Sequence, residues 1–145
     1  NLDLEWKIIY IANGYQCQIC GKTEYPYIDH ICDAHTVGLM EAFGHPELQL
    51  IIDYGPNEIM RILNTIGIRI KNGERFKEGD MIKGIYEDCE LRLDCIDDGY
   101  GIEPYLRVII PDRNNLFPEE PGCNTLHSLQ RYGLSQLERK TQHKH

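Results

Sequence analysis

The chain has 145 residues, a hydrophobic fraction of 41%, and 15 Lys and Arg against 23 Asp and Glu, for a formal charge of −8. That length suits one hydrophobic core rather than two, and this balance of apolar and charged residues excludes both disorder and membrane residence. The acidity repels polyphosphate, which excludes duplex nucleic acid as a partner.

No apolar run approaches the roughly 20 residues that span a bilayer. The start, Asn1 to Trp6, has neither the basic nor the apolar region of a leader, so a cytoplasmic location is expected. The first element is expected to be a short helix capped by Asp3, with Leu4, Ile8 and Ile11 on one side and Asn13-Gly14 as its stop. From Tyr15 the pattern has period two, as in a half-buried strand running to Cys20. A second strand, Ala34 to Leu39, leads into a loop, Met40 to Glu47, and a third strand, Leu48 to Ile52. Pro56 to Asn72 is the clearest helix, with Pro56 at its first turn, Ile59, Leu63, Ile66 and Ile70 on one stripe, and Gly73 at its end. Its basic residues Arg69 and Lys71, with Arg75 just beyond, suit a helix C-terminus, where cations oppose the dipole. Met81–Tyr86 and Cys89–Ile96 read as strands on either side of a turn. In the second of these Cys89, Leu91, Leu93 and Cys95 face one way, so both thiols are expected in the core. Tyr105–Ile110 is a sixth strand, and a short helix from Thr125 to Tyr132 closes the domain.

These elements predict a single α+β domain over residues 1–133 with a polar tail over 134–145. The sheet is expected to be mostly antiparallel, of about six strands, curled toward a barrel and packed by one long helix and short terminal helices. No Rossmann or phosphate-loop glycine pattern occurs, and no cofactor is expected. Six cysteines without a sign of secretion are expected to stay reduced.

Four blocks, His35-Thr-Val-Gly-Leu39, Phe43-Gly-His-Pro-Glu-Leu48, the helix ending at Asn72-Gly73, and Pro111-Asp-Arg-Asn-Asn-Leu-Phe-Pro118 running on to Gly122, resemble the domain-of-unknown-function family DUF4262 in order and spacing. The resemblance implies a small α+β domain of bacterial or phage origin, and it assigns no activity, cofactor or catalytic residue. The chain departs from the family pattern in carrying His35 where an aromatic residue is common, in its Cys17, Cys20 and Cys32, and in a shortened segment from Gly99 to Tyr105.

Two constellations could carry chemistry. Cys17-Gln-Ile-Cys20 and Cys32-Asp-Ala-His35, separated by eleven residues, approach the spacing of a structural zinc site, with His30 as a spare ligand. Strand alternation at Tyr15–Cys20 would send Cys17 and Cys20 to opposite faces, so the zinc reading is disfavoured. The second is the polar set of the family-like blocks, His35, Thr36, Glu41, His45, Glu47, Asp112 and Arg113, which could form an anion clamp or an acid/base site. Each also has a structural reading: His45-Pro46 as a loop corner and Asp112 as the head of an Asx-turn. The loop around His45 and the turn at Asp112 are expected at the same end of the sheet. Cys123, at a predicted helix N-terminus, could be a stabilised thiolate, or a thiol without a role.

The expected function is a non-catalytic binding module holding a small molecule or a protein partner, with its oligomeric state open. The rivals are a small hydrolase or transferase using His45 with Glu47 or Asp112, and a bacterial immunity or phage counter-defence protein.

Overall fold

A computed structural model describes residues 4–12 and 29–137. The elements in chain order are β1 (Lys7–Ile11), β2 (Ile31–Val37), α1 (Leu39–Phe43), β3 (Leu48–Ile52), α2 (Pro56–Lys71), β4 (Met81–Ile82), β5 (Leu91–Ile96), β6 (Tyr105–Ile109) and α3 (Thr125–Ser128), the last continuing into a 3₁₀ turn, Leu129–Arg131. The strand expected at Tyr15–Cys20 and the cap at Asp3 lie outside the described residues.

The fold is α+β, with a sheet ordered β1-β2-β3-β6-β5-β4. Four of its pairings are antiparallel and the central one, β3 with β6, is parallel. The sheet is therefore mixed, and with β1 and β4 at its two edges it is open rather than barrel-like. The parallel pairing follows from the crossover through α2, which returns the chain so that β6 runs beside β3 in the same direction. At 16 residues α2 is of ordinary length rather than long, and the other described helices are shorter still.

The first element corrects the expectation most sharply: residues 7–11 form a strand, not a helix. Leu4, Ile8 and Ile11 fit a helical period, but Ile8-Ile-Tyr-Ile11 is also a β-branched and aromatic run. Pairing of the whole of β1 with β2, from Lys7↔Val37 to Ile11↔Asp33, outweighs the weaker local signal. Met81–Tyr86 is likewise reduced to the two-residue β4. Cys95 is exposed and Cys89 half-buried, so neither is the core thiol that alternation suggested.

The core forms where the stripe of α2, with Ile59, Ile62, Leu63, Ile66 and Ile70 all buried, meets Ala34, Leu48, Leu50, Leu93, Leu106 and Val108 of the sheet. Trp6 joins α2 to the start of β1, its Nε1 donating to Asn64 Oδ1 at 2.9 Å. Its ring lies so close to α2 that a Cβ on Gly67 would stand 2.6 Å from Trp6 Cζ2, which explains a glycine in mid-helix. Packing continues past residue 133: Leu134 and Leu137 are buried in the same core.

Candidate functional site

The described polar residues fall into three groups. The first stands at the N-terminal end of β3. Glu47 accepts from Thr36 Oγ1 at 2.7 Å and from the backbone N–H groups of Gly38, Leu39 and Met40 at 3.1 to 3.2 Å, so its carboxylate caps the start of α1. Thr36 in turn accepts from Leu48 N at 2.9 Å. His45 is 1% exposed, donates from Nδ1 to Pro46 O at 2.8 Å and accepts at Nε2 from Phe76 N at 3.1 Å. These partners fix a neutral imidazole with no nitrogen left for proton transfer. Glu41 is exposed on α1 and joins none of these contacts.

The second group crosses the sheet at one level. His35, Gln49, Arg107 and Asp94 are successive register partners on β2, β3, β6 and β5. Arg107 is fully buried and donates to Gln49 Oε1 at 2.8 Å, to Asp98 Oδ1 at 2.7 Å, and to the carbonyls of Gln130 and Tyr132 at 2.8 and 2.6 Å. Burial pulls the guanidinium down to about 10 while Asp98 opposes the shift, so it remains charged at neutral pH. Asp98 also accepts from Gln49 Nε2 at 2.7 Å and from Leu134 N at 2.9 Å. At the end of the row His35 Nδ1 meets Asp33 Oδ1 at 2.9 Å, and its ring packs on Tyr105 with centroids 5.1 Å apart. Gln49, Asp98, Arg107 and Gln130 were not singled out from the sequence. The available signal was the isolated polar residue within an apolar strand, Gln49 in Leu48–Ile52 and Arg107 in Tyr105–Ile109, because such a residue is buried and must find partners.

The third group lies at the C-terminal ends of β3 and β6. Asp112 Oδ1 accepts from the N–H groups of Asn114 and Leu116, and Oδ2 from that of Asn124, at 2.9 to 3.0 Å. These bonds, that of Leu116 first, hold its carboxyl below the ordinary range and tie the loop after β6 to the start of α3. Gln130 then clamps this segment to the strand, exchanging bonds with both the N–H and the carbonyl of Ile110 at 2.9 and 2.7 Å. Asn124 accepts from the N–H of His127 at 2.8 Å, and its Oδ1 also faces His127 Nδ1 at 2.9 Å. With Nδ1 donating, Nε2 accepts from the Tyr54 hydroxyl at 3.0 Å. Burial lowers the His127 titration, in keeping with that neutral ring.

The product is an open cleft of about 720 Å³ lined by Tyr54, Tyr86, Asp88, Cys89, Arg113 and His127, among others. Tyr86 is held in the wall by its hydroxyl bond to Glu58, a carboxylate that Arg61 also grips. A smaller, largely apolar groove of about 250 Å³ lies at the other end of the β3–β6 pair, beside Met40, Pro46, Pro104 and Tyr105.

The residues expected to form one site are thus separated. Because β3 and β6 are parallel, the loop before β3, with His45 and Glu47, and the turn after β6, with Asp112 and Arg113, stand at opposite ends of the sheet. The expectation of one shared end assumed antiparallel neighbours, and an acid/base pair of His45 with Asp112 cannot form. Cys32 donates to the Leu50 carbonyl at 3.8 Å while His35 is held by Asp33, and among the described residues no cluster of three or more metal-ligating side chains occurs. Cys17 and Cys20 lie outside the described residues. Burial raises the Cys123 thiol, the reverse of a stabilised thiolate. Arg69 and Lys71 pair with Glu74 and Glu5, and Arg75 donates to carbonyls at the end of α2, so this basic run caps a helix.

No helix among the described residues is long and apolar enough to cross a membrane. No significant match is found among curated proteins or among solved structures. The family model described as "Domain of unknown function (DUF4262)" matches residues 12–124, and on a match that spans well over half of its length the chain belongs to the DUF4262 family.

Proposed function

We propose that this protein is a non-catalytic binding module whose small ligand occupies the cleft at the C-terminal ends of β3 and β6. The observation that carries the reading is a difference in commitment. The groups best suited to catalysis, His45, Glu47, Asp112 and His127, each have their hydrogen-bonding atoms engaged within the fold. The cleft adds a pinned aromatic wall, and its volume of about 720 Å³ falls in the usual range for small-molecule sites, roughly 300–1,000 Å³. A second reading, an acid/base enzyme, rests on His35 rather than His45, since Asp33 orients its Nδ1 and no described partner takes Nε2. Neither the cleft nor the smaller groove is lined by His35, and the binding reading therefore stands first.

Amide NMR spectra recorded against cocktails of small fragments test the proposal. Perturbations are expected to concentrate on Tyr54, Asn114, Asn115 and His127 and to be lost in Tyr54→Ala. Hits gathering at Met40 and Tyr105, or spread without focus, would overturn it.

A further inference from the structure

Resting on that reading of the cleft, we infer that its ligand is a small zwitterion, an ammonium and an acid group carried on an apolar or aromatic body, as in an amino acid. The argument is a balance of uncommitted charge. Asp88 and Arg113 both line the cleft and both are exposed. Neither makes a hydrogen bond or ion pair with any described residue, and they do not pair with each other. The remaining carboxylate of the lining, Asp112, is occupied by three backbone N–H groups, and both nitrogens of His127 are engaged. The groove of about 450 Å³ that adjoins the cleft at Tyr86 and Asp88 holds Lys83, which lies 3.6 Å from Glu90, and the exposed Glu87, both outside the cleft itself.

The cleft therefore offers one free charge of each sign. A purely anionic ligand would leave Asp88 without a partner, a purely cationic one would leave Arg113 without one, and a neutral one would leave both. Only a ligand with both signs pairs each group. In the same lining the ring of Tyr54, locked through its hydroxyl to His127, and that of Tyr86, over which Arg61 already lies at 5.2 Å, supply flat apolar surface on which a ring stacks or an ammonium rests. Burial, with Asp88 beside it, raises the Cys89 thiol away from its reactive form.

A matched trio of probes separates the alternatives: L-tyrosine, tyramine, which lacks the acid, and 3-(4-hydroxyphenyl)propionate, which lacks the ammonium. All three are titrated by calorimetry and by amide NMR into the whole chain. L-Tyrosine is expected to bind at the cleft about tenfold or more tightly than either analogue, as the loss of one charge-assisted contact implies. Asp88→Asn should abolish the preference over 3-(4-hydroxyphenyl)propionate alone, and Arg113→Gln the preference over tyramine alone. Both positions are on the surface, and an unchanged amide spectrum elsewhere reports intact folding. Equal binding of either analogue, or variants that leave both preferences in place, overturns the zwitterion. If none of the trio perturbs the cleft while other fragments do, this inference fails and the binding reading survives. If no fragment does, both fail.

Discussion

The two ends of the β3–β6 pair are both rich in polar side chains and use them differently. Before β3, Thr36, His45 and Glu47 satisfy backbone groups that a tight strand-helix-strand connection leaves without partners. After β6, Asp112, Asn124 and Gln130 do the same for their loop, but in the adjoining cleft Asp88 and Arg113 have no hydrogen bond or ion pair with any described residue. Polar residues in a loop therefore indicate where backbone needs partners as readily as where a ligand sits. Which atoms remain free is the distinguishing property.

The largest expected effect comes from the buried Arg107–Asp98 pair, in the row that crosses the sheet between the two ends. Arg107→Met would leave the buried Asp98 without its main partner, and urea unfolding should show a loss of about 3–5 kcal/mol. A loss under about 1 kcal/mol would mean that the row is hydrated rather than buried. Next is His45→Ala, which strands Phe76 N–H and the Pro46 carbonyl. It should cost about 1–3 kcal/mol while leaving cleft affinity per folded molecule unchanged. A weakened ligand with unchanged stability would reverse the contrast between the two ends.

The acid limb of stability offers a smaller effect. Arg61 and then Tyr86 hold the Glu58 carboxyl down at about 2, and Arg92 does the same for Glu119. Folded values below the unfolded ones mean stability that is complete above the ordinary Glu value, about 4.3, and that is lost as pH falls toward the folded values. Urea midpoints between about pH 5 and pH 2 should therefore fall less steeply in Glu58→Gln than in the parent protein. An unchanged slope would show that Glu58 does not fix Tyr86 in the cleft wall. Smallest of all, Arg113→Gln should alter stability by no more than about 0.5 kcal/mol, because its exposed guanidinium makes no hydrogen bond or ion pair with a described residue. A larger loss in thermal unfolding would place Arg113 with the structural residues.

β3, α2 and β6 were legible because each carries a strong signal of its own. The apolar run Leu48–Ile52, the stripe of isoleucines and leucine after Pro56, and the segment Tyr105–Ile109 hold under any tertiary arrangement. β1 was misread because five residues satisfy two periods at once, and only the presence of β2 alongside resolves them. The polar residues expected as one set fall at two ends of the sheet. Asp112 and Arg113 do border the cleft, whereas His45, Glu47 and Thr36 serve the other end. Tyr54, Tyr86, Asp88 and His127, which come from three separate stretches of chain, carry no local pattern that would join them.

By itself the sequence determined the apolar stripe of α2, the positions of β3, β5 and β6 and, through its four blocks, the DUF4262 membership, since local periodicity and short-range turn chemistry are properties of neighbouring residues. Only the tertiary structure decided that β6 lies parallel to β3, and with it which loops meet, which lone pairs are occupied and which charges stay free. Those outcomes depend on partners far apart in the chain, such as Gln49 with Arg107 or Tyr54 with His127, whose encounter is set by the crossover and not by any segment it connects.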